Sequence, residues 1–222
     1  MPLDQSRDPR DPFRSQRLVY RAIEDSDADK SFFHTHLNDP AMHFFSSTIL
    51  PRPRTQKSAA EFLAIHQERL LSVMICLPET EPDTEESSSQ DTKKERGRAG
   101  GGGAGQPIGR LSLSNPLGSL TAHHRNAVMG ISLIAEARGK GYGGEAINWA
   151  LDWAFEIAGL HRVGIQVCAF NEGALGLYRK VGFVEEGRER EAVWHGREWH
   201  DVVSLGILEG EWARLRARSL AN

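Results

Sequence analysis

Between Glu136 and Ala150 the chain reads EARGKGYGGEAINWA, with four glycines and two cations packed into the seven residues from Arg138 to Gly144. The run before it, NAVMGISLIA, alternates like a strand. The run after it, GEAINWALDWAFEIAGL, places Ile147, Ala150, Leu151, Ala154 and Ile157 at helical spacing, with Asn148, Asp152 and Glu156 opposite and Gly159 as a C-cap. A strand therefore hands over to a helix inside a loop almost free of side chains. Glycines let backbone N–H groups converge, and the first turn of the helix adds four unpaired donors and the positive end of its dipole. The natural guest of such a loop is a pyrophosphate.

The rest of the chain places that handover in an α/β order. RLVYRAI (from Arg17) reads as a strand, EDSDADKSFFHTHL as a short acid-capped helix, and QKSAAEFLAIHQERLL as a second helix with Ala60, Leu63, Ala64 and Gln67 on one side. SVMICLP is a strand ended by Pro78, and PIGRLSLSN is another. After the glycine loop and its helix come the strand HRVGIQVCAF and the helix NEGALGLYRKVGF, whose stripe is Ala174, Leu177, Tyr178 and Val181. Two further strands, FVEEGRERE and DVVSLGIL, flank the turn-prone WHGREWH. Strands alternating with helices in this way predict a mixed sheet with helices packed on it.

Residues 1–16 carry charges of both signs and three prolines with no apolar core, so they read as a loose arm without a secretory signal or membrane span. Residues 17–208 read as one domain and 209–222 as a basic helix or tail. The segment from Glu79 to Gln106 is acidic, then basic, then nearly pure glycine, and is expected to be a disordered insertion in a hairpin. A formal net charge of -3 gives no polyanion-binding signature, so neither nucleic acid nor a membrane surface is an expected partner. Cys76 and Cys168 sit far apart in apolar runs and read as reduced buried thiols, which suits the cytosol or nucleus. The His123–His124 pair has no matching ligand spacing elsewhere, so no metal is expected.

Several phosphate ligands are compatible with a glycine loop. The P-loop pattern G-x-x-x-x-G-K-[ST] does not occur, since Lys140 is followed by Gly141. Gly139, Gly141 and Gly144 fit the dinucleotide pattern G-x-G-x-x-G, but the strands before them are in the wrong order and no acidic ribose ligand ends the next strand. RGKGYG also fills, at Arg138, Gly141 and Gly143, the [Q/R]-x-x-G-x-[G/A] signature of the GNAT superfamily of acetyl-CoA-dependent N-acetyltransferases. Asn171, Ala174 and Tyr178 match its N-x-x-A-x-x-x-Y helix. From Leu18 to Leu208 the chain resembles this family, especially the branch of ribosomal-protein alanine and spermidine acetyltransferases.

The resemblance implies a GNAT fold: a largely antiparallel sheet of about seven strands, splayed between the fourth and fifth by a bulge, with about four flanking helices. It implies acetyl-CoA as co-substrate, with Ile131, Leu133 and Ile134 along the pantetheine arm. Backbone of Arg138, Gly139, Lys140, Gly141, Tyr142, Gly143 and Gly144 would surround the pyrophosphate. Asn171 and Ala174 would also meet the cofactor. Each has an ordinary structural role as well, since the strand residues suit a core and Asn is a good helix cap. Tyr178 is the implied general acid toward the departing thiolate, although its place on an apolar stripe equally suits a core tyrosine.

For the general base, His123, His124, Glu24, Glu136 and His200 are candidates, and no spacing selects among them. The expected activity is direct acetyl transfer to a primary amine, such as a protein N-terminus or a polyamine, by a monomer or homodimer. A non-catalytic acyl-CoA sensor whose insertion docks a partner is the alternative.

Overall fold

A computed structural model of the protein describes residues 11–46, 49–79 and 104–220. The order along the chain is β1 (Val19–Ala22), α1 (Asp27–Leu37), α2 (Pro40–Ser46), α3 (Gln56–Gln67), β2 (Leu71–Pro78), β3 (Ala104–Ser114) and β4 (Asn126–Leu133). It continues with α4 (Tyr142–Asp152), β5 (Arg162–Cys168), α5 (Glu172–Val181), β6 (Val184–His195), β7 (Glu198–Leu208) and α6 (Glu209–Leu220). The seven strands form one sheet in the order β1-β2-β3-β4-β5-β7-β6. All neighbours are antiparallel except β4 and β5. No helix of the described residues is long and apolar enough to cross a membrane.

Strand alternation decides which layer each residue joins. Leu18, Tyr20, Val73, Ile75, Leu111, Leu113, Ala127 and Met129 face α4 and α5, and the main core forms there. Their neighbours Val19, Met74 and Cys76 face the other way and pack with Phe33, Leu37, Ala59 and Leu63 of α1 and α3. That second face is apolar under β1 and β2 apart from the Arg21–Asp29 ion pair, and polar under β3 and β4, where Arg110, Ser112 and Ser132 point into it. Each meets a helix-side partner. Arg110 donates to His66 Nε2 at 2.8 Å, Arg69 to Ser112 Oγ at 2.6 Å, and His36 Nε2 lies 2.7 Å from Ser132 Oγ.

The splay between β4 and β5 is present, but its origin differs from the expected bulge. β4 keeps an unbroken register with β3 from Ser114↔Val128 to Gly109↔Leu133. β5 pairs with β4 only over Asn126–Val128 and Arg162–Gly164, while it follows β7 along its whole length. β5 thus leaves β4 because β7 carries it away.

The sheet and helix edges also depart from expectation. β3 begins at Ala104, opposite Pro78, so Ala104 to Gln106 are strand rather than insertion; residues 80–103 lie outside the described residues. Gly105 permits that pairing, because a Cβ there would lie 3.1 Å from backbone atoms of Leu77 and Pro78. β6 and β7 run through most of WHGREWH and turn only at Gly196 and Arg197, both at positive φ (60° and 68°), the signature of a two-residue hairpin turn.

Six α-helices occur among the described residues where about four were expected. The short α2 is capped by Asp39, whose Oδ1 accepts from Ala41 N at 2.9 Å. α6 packs on α4: Trp212 Nε1 and Arg216 Nε both donate to Asp152 Oδ1, at 3.0 and 2.8 Å. Asp152, read from sequence as solvent-facing, is consequently buried, and Ile157, read as core, is 56% exposed. The cause is a wide π turn at Trp153–Ile157, which rotates the end of the helix away from the 3.6-residue period. In α3 the buried stripe is Ala59, Leu63 and His66, one step round from the expected one.

Candidate active site

Where β5 leaves β4, the gap opens into a cavity of about 630 Å³. Its floor is β4 from Met129 to Leu133, its far wall is β5 from Ile165 to Cys168, and the first turns of α4 and α5 close one side. Of the residues singled out in the sequence, Ile131, Leu133, Arg138, Gly139, Gly141, Gly143, Gly144, Asn171, Ala174 and Tyr178 all line it.

Three expected members do not. Ile134 lies beyond the end of β4, held by a bond from its N–H to Ile108 O at 2.9 Å, and lines a second cavity. Lys140 is exposed, and its carbonyl accepts from Arg17 Nη1 at 3.0 Å. The Tyr142 ring packs against the main core, with the Arg17 guanidinium 4.8 Å above it.

The glycine loop closes this end through its backbone. Gly139 and Gly141 have φ of 72° and 83°, a region that other residues enter at a cost. Gly141 is the N-cap of α4 and offers no side-chain hydrogen bond to the first turn. Gly143 and Gly144 let α5 approach, since a Cβ on either would meet Leu177 at 3.4 and 3.2 Å. An uncapped helix start facing a cavity suits an anion. Arg138 adds a cation on the same wall, anchored by its Nε to Leu133 O at 3.0 Å.

α5 is built differently. Asn171 Oδ1 accepts from Ala174 N at 3.1 Å, and Asn171 Nδ2 donates to Phe45 O at 2.8 Å. Asn171 therefore caps its own helix and ties it to α2, whose Phe45 also lines the cavity. Two turns on, Tyr178 is 7% exposed. Burial pushes its phenol up to about 12, so it stays protonated and keeps a proton to give. Among the described residues its hydroxyl has no hydrogen-bond partner.

The base candidates separate clearly. His123 and His124 are exposed in a 3₁₀ turn before β4, next to its first residues rather than at the open end of the splay. Glu24 is exposed beyond β1. His200 sits on β7 with Nε2 3.1 Å from His195 O, and Glu136 lines the second cavity. Sequence reading missed His36, which is 1% exposed and reaches Ser132, a residue of the first cavity. Burial, then the nearby Arg110 charge, pushes His36 down to about 4. Its strand partner cannot be read from sequence because only the sheet register brings the two together. Among the described residues no cluster of His, Cys, Asp and Glu is arranged to hold a metal.

The acetyltransferase (GNAT) domain model matches residues 17–184. The chain belongs to the GNAT acetyltransferase family. Curated relatives include a spermidine N(1)-acetyltransferase of Vibrio cholerae, 37% identical over 89 residues that cover 40% of this chain and 51% of the relative. A putative ribosomal N-acetyltransferase, YdaF of Bacillus subtilis, is 32% identical over 108 residues, covering 49% and 57%. The GNAT chain thus spans about half the length of the curated relatives it matches. Its fold is similar to that of a spermidine N-acetyltransferase from Vibrio cholerae solved with CoA and spermine: TM-score 0.66, 25% identity, 90% of this chain and 99% of that one. A GNAT-family acetyltransferase from Bacillus anthracis shares the fold at TM-score 0.64 and 20% identity, with the same coverage.

Proposed function

We propose that the protein is an N-acetyltransferase that moves the acetyl group of acetyl-CoA directly to a primary amine. The observation that carries this reading is the pairing, in one cavity, of an uncapped glycine helix start with a buried, protonated phenol. The first accommodates a pyrophosphate, and the second supplies a proton to a departing thiolate as charge develops on sulfur. The relatives named for spermidine support a small cationic amine as acceptor.

Acetyl-CoA, when bound, supplies an activated thioester. The residues of this chain then have separable tasks. N–H groups of Gly141, Gly143 and Gly144, with Arg138, hold the pyrophosphate. β4, unpaired on its β5 side beyond Val128, offers free backbone groups to an extended pantetheine chain, as a sheet edge does to an added strand. As the amine nitrogen bonds to the acetyl carbon, the carbon–sulfur bond breaks and Tyr178 gives its proton to sulfur. The amine proton leaves to solvent, which restores the phenol. Cavity residues Ile165 and Val167 keep bulk water away from the thioester.

The test is a thiol-release assay with acetyl-CoA across peptides, polyamines and amino acids. Turnover on at least one amine supports the proposal. Tight CoA binding with no thioester consumption on any amine would replace it with the sensor reading.

A further inference from the structure

A second cavity, of about 680 Å³, opens between α1 and the turn after β4. Its charged lining consists of Asp39, Glu136 and Arg54, alongside the imidazoles of His34 and His36 and the ring of Phe32. Two side-chain contacts join it to the first cavity, the His36–Ser132 hydrogen bond and an ion pair. Arg138 lines the first, Asp39 lines the second, and Arg138 Nη2 lies 3.6 Å from Asp39 Oδ2. That separation is short enough for strong attraction and too long for a hydrogen bond. Among the described residues the buried Nη2 has no hydrogen-bond partner, while Nε is fixed on Leu133 O. The guanidinium is therefore anchored at one end and loosely held at the other.

We propose that Arg138 is a cation shared between the two cavities. Asp39 holds it while the first cavity is empty, and a pyrophosphate there draws it away, freeing Asp39 to join Glu136 in binding a cationic amine in the second. This rests on the acetyl-CoA reading of the first cavity and adds a subsite and a coupling to it.

The charges support that direction. Before the exchange two carboxylates, Asp39 and Glu136, face two guanidinium groups, Arg54 and Arg138, and the formal charges cancel. A pyrophosphate offers Arg138 short charge-assisted hydrogen bonds that Asp39 at 3.6 Å does not. Once Arg138 is neutralised there, the second cavity retains one net negative charge. His36 does not oppose a cation, because burial and Arg110 keep it neutral. Its buried Nδ1 has no partner among the described residues, on a side chain that lines this cavity, so a polar acceptor or donor there remains to be satisfied. Among the described residues Glu136 has no ion-pair partner, which leaves its carboxylate for a ligand.

The experiment is calorimetric titration of spermidine, as the probe, into the full chain with and without saturating CoA. The wild type is expected to bind spermidine about 10-fold more tightly with CoA, and CoA about 10-fold more tightly with spermidine, since the coupling is reciprocal. Asp39→Asn keeps the α2 cap through its side-chain oxygen and removes the charge, so the ratio should fall to near one. Glu136→Gln should weaken spermidine in both states and keep the ratio. A wild-type ratio near one, a ratio retained in Asp39→Asn, or no spermidine binding to the CoA-loaded protein overturns the proposal. The acetyltransferase reading fails separately, on absent CoA binding or on absent thioester consumption across the amine panel.

Discussion

Helices α4 and α5 both begin at the first cavity, and their first turns treat the unpaired backbone N–H groups in opposite ways. α4 starts at Gly141, which offers no capping side chain, so its donors face the cavity. α5 starts at Asn171, whose Oδ1 takes the Ala174 N–H. Under the proposed function the difference gives them separate tasks. A helix start left open suits a binding element, because its N–H groups are left to water or a ligand. One closed by its own sequence is a rigid carrier, and α5 carries Tyr178. Leu177 against Gly143 and Gly144 locks the two at a fixed spacing.

The comparison breaks first if the carrier has no chemistry. Tyr178→Phe keeps the ring and its contact with Phe183 but removes the proton. kcat should fall about 1000-fold, within the usual range for a lost general acid, with CoA affinity within about twofold. Steady-state kinetics with calorimetry checks both, and a kcat near wild type removes Tyr178 from the mechanism. The next test gives α4 a cap. Gly141→Asp places a carboxylate where φ is 83°, a conformation that Asp tolerates better than most residues. It would occupy the first-turn donors and repel a pyrophosphate, so CoA affinity should drop about 100-fold while the melting temperature changes little. Equal CoA affinity would show that the cofactor does not use this helix start.

The two faces of the sheet differ in a similar way, and acid tests that contrast. Under α1 and α3, burial and then Arg110 push His36 to about 4 and His66 to about 3, both below the ordinary 6.5. Their unfolded forms take up protons as pH drops below 6.5 while the folded forms do not. Stability is therefore full above that pH and is lost as pH falls toward 4. At pH 5 each histidine costs about 2 kcal/mol relative to pH 7. Urea denaturation at the two pH values measures the loss. His36→Gln, which retains a polar group beside Ser132 and cannot titrate, should remove about half of it. A stability independent of pH over that range would mean that water reaches both rings.

What the sequence revealed follows the range of the interactions. The glycine loop, the Asn171 cap and the Tyr178 stripe each lie within a few residues, so local motifs, read with the family resemblance, named thirteen positions of which ten line one cavity. Ile134 falls outside that cavity because β4 ends at Leu133, where its pairing with β3 stops. The polar layer of Arg110, His66, Ser132 and His36 was hidden, because partners 44 and 96 residues apart meet only through strand register. Asp152 likewise looks solvent-facing until α6, 60 residues away, brings Trp212 to it. Arg138 was read as a phosphate ligand from its motif, while its second partner, Asp39, depends on how α1 ends.

The smallest test concerns the closed helix start itself. Asn171→Ala removes the acceptor for Ala174 N and the donor to Phe45 O, so α5 loses both its cap and its tie to α2. A lost cap costs about 1 kcal/mol, which in a chain of this size lowers the melting temperature by about 2–4 °C. If α5 is a carrier whose first turn is satisfied internally, kcat should drop by less than threefold or so and CoA affinity by a similar factor, because Tyr178 is still held by Leu175 and the core two turns away. A loss of CoA affinity as large as that expected for Gly141→Asp, with little change in melting temperature, would give the opposite answer. Asn171 would then be a ligand first and a cap second, and both helix starts would belong to the binding surface.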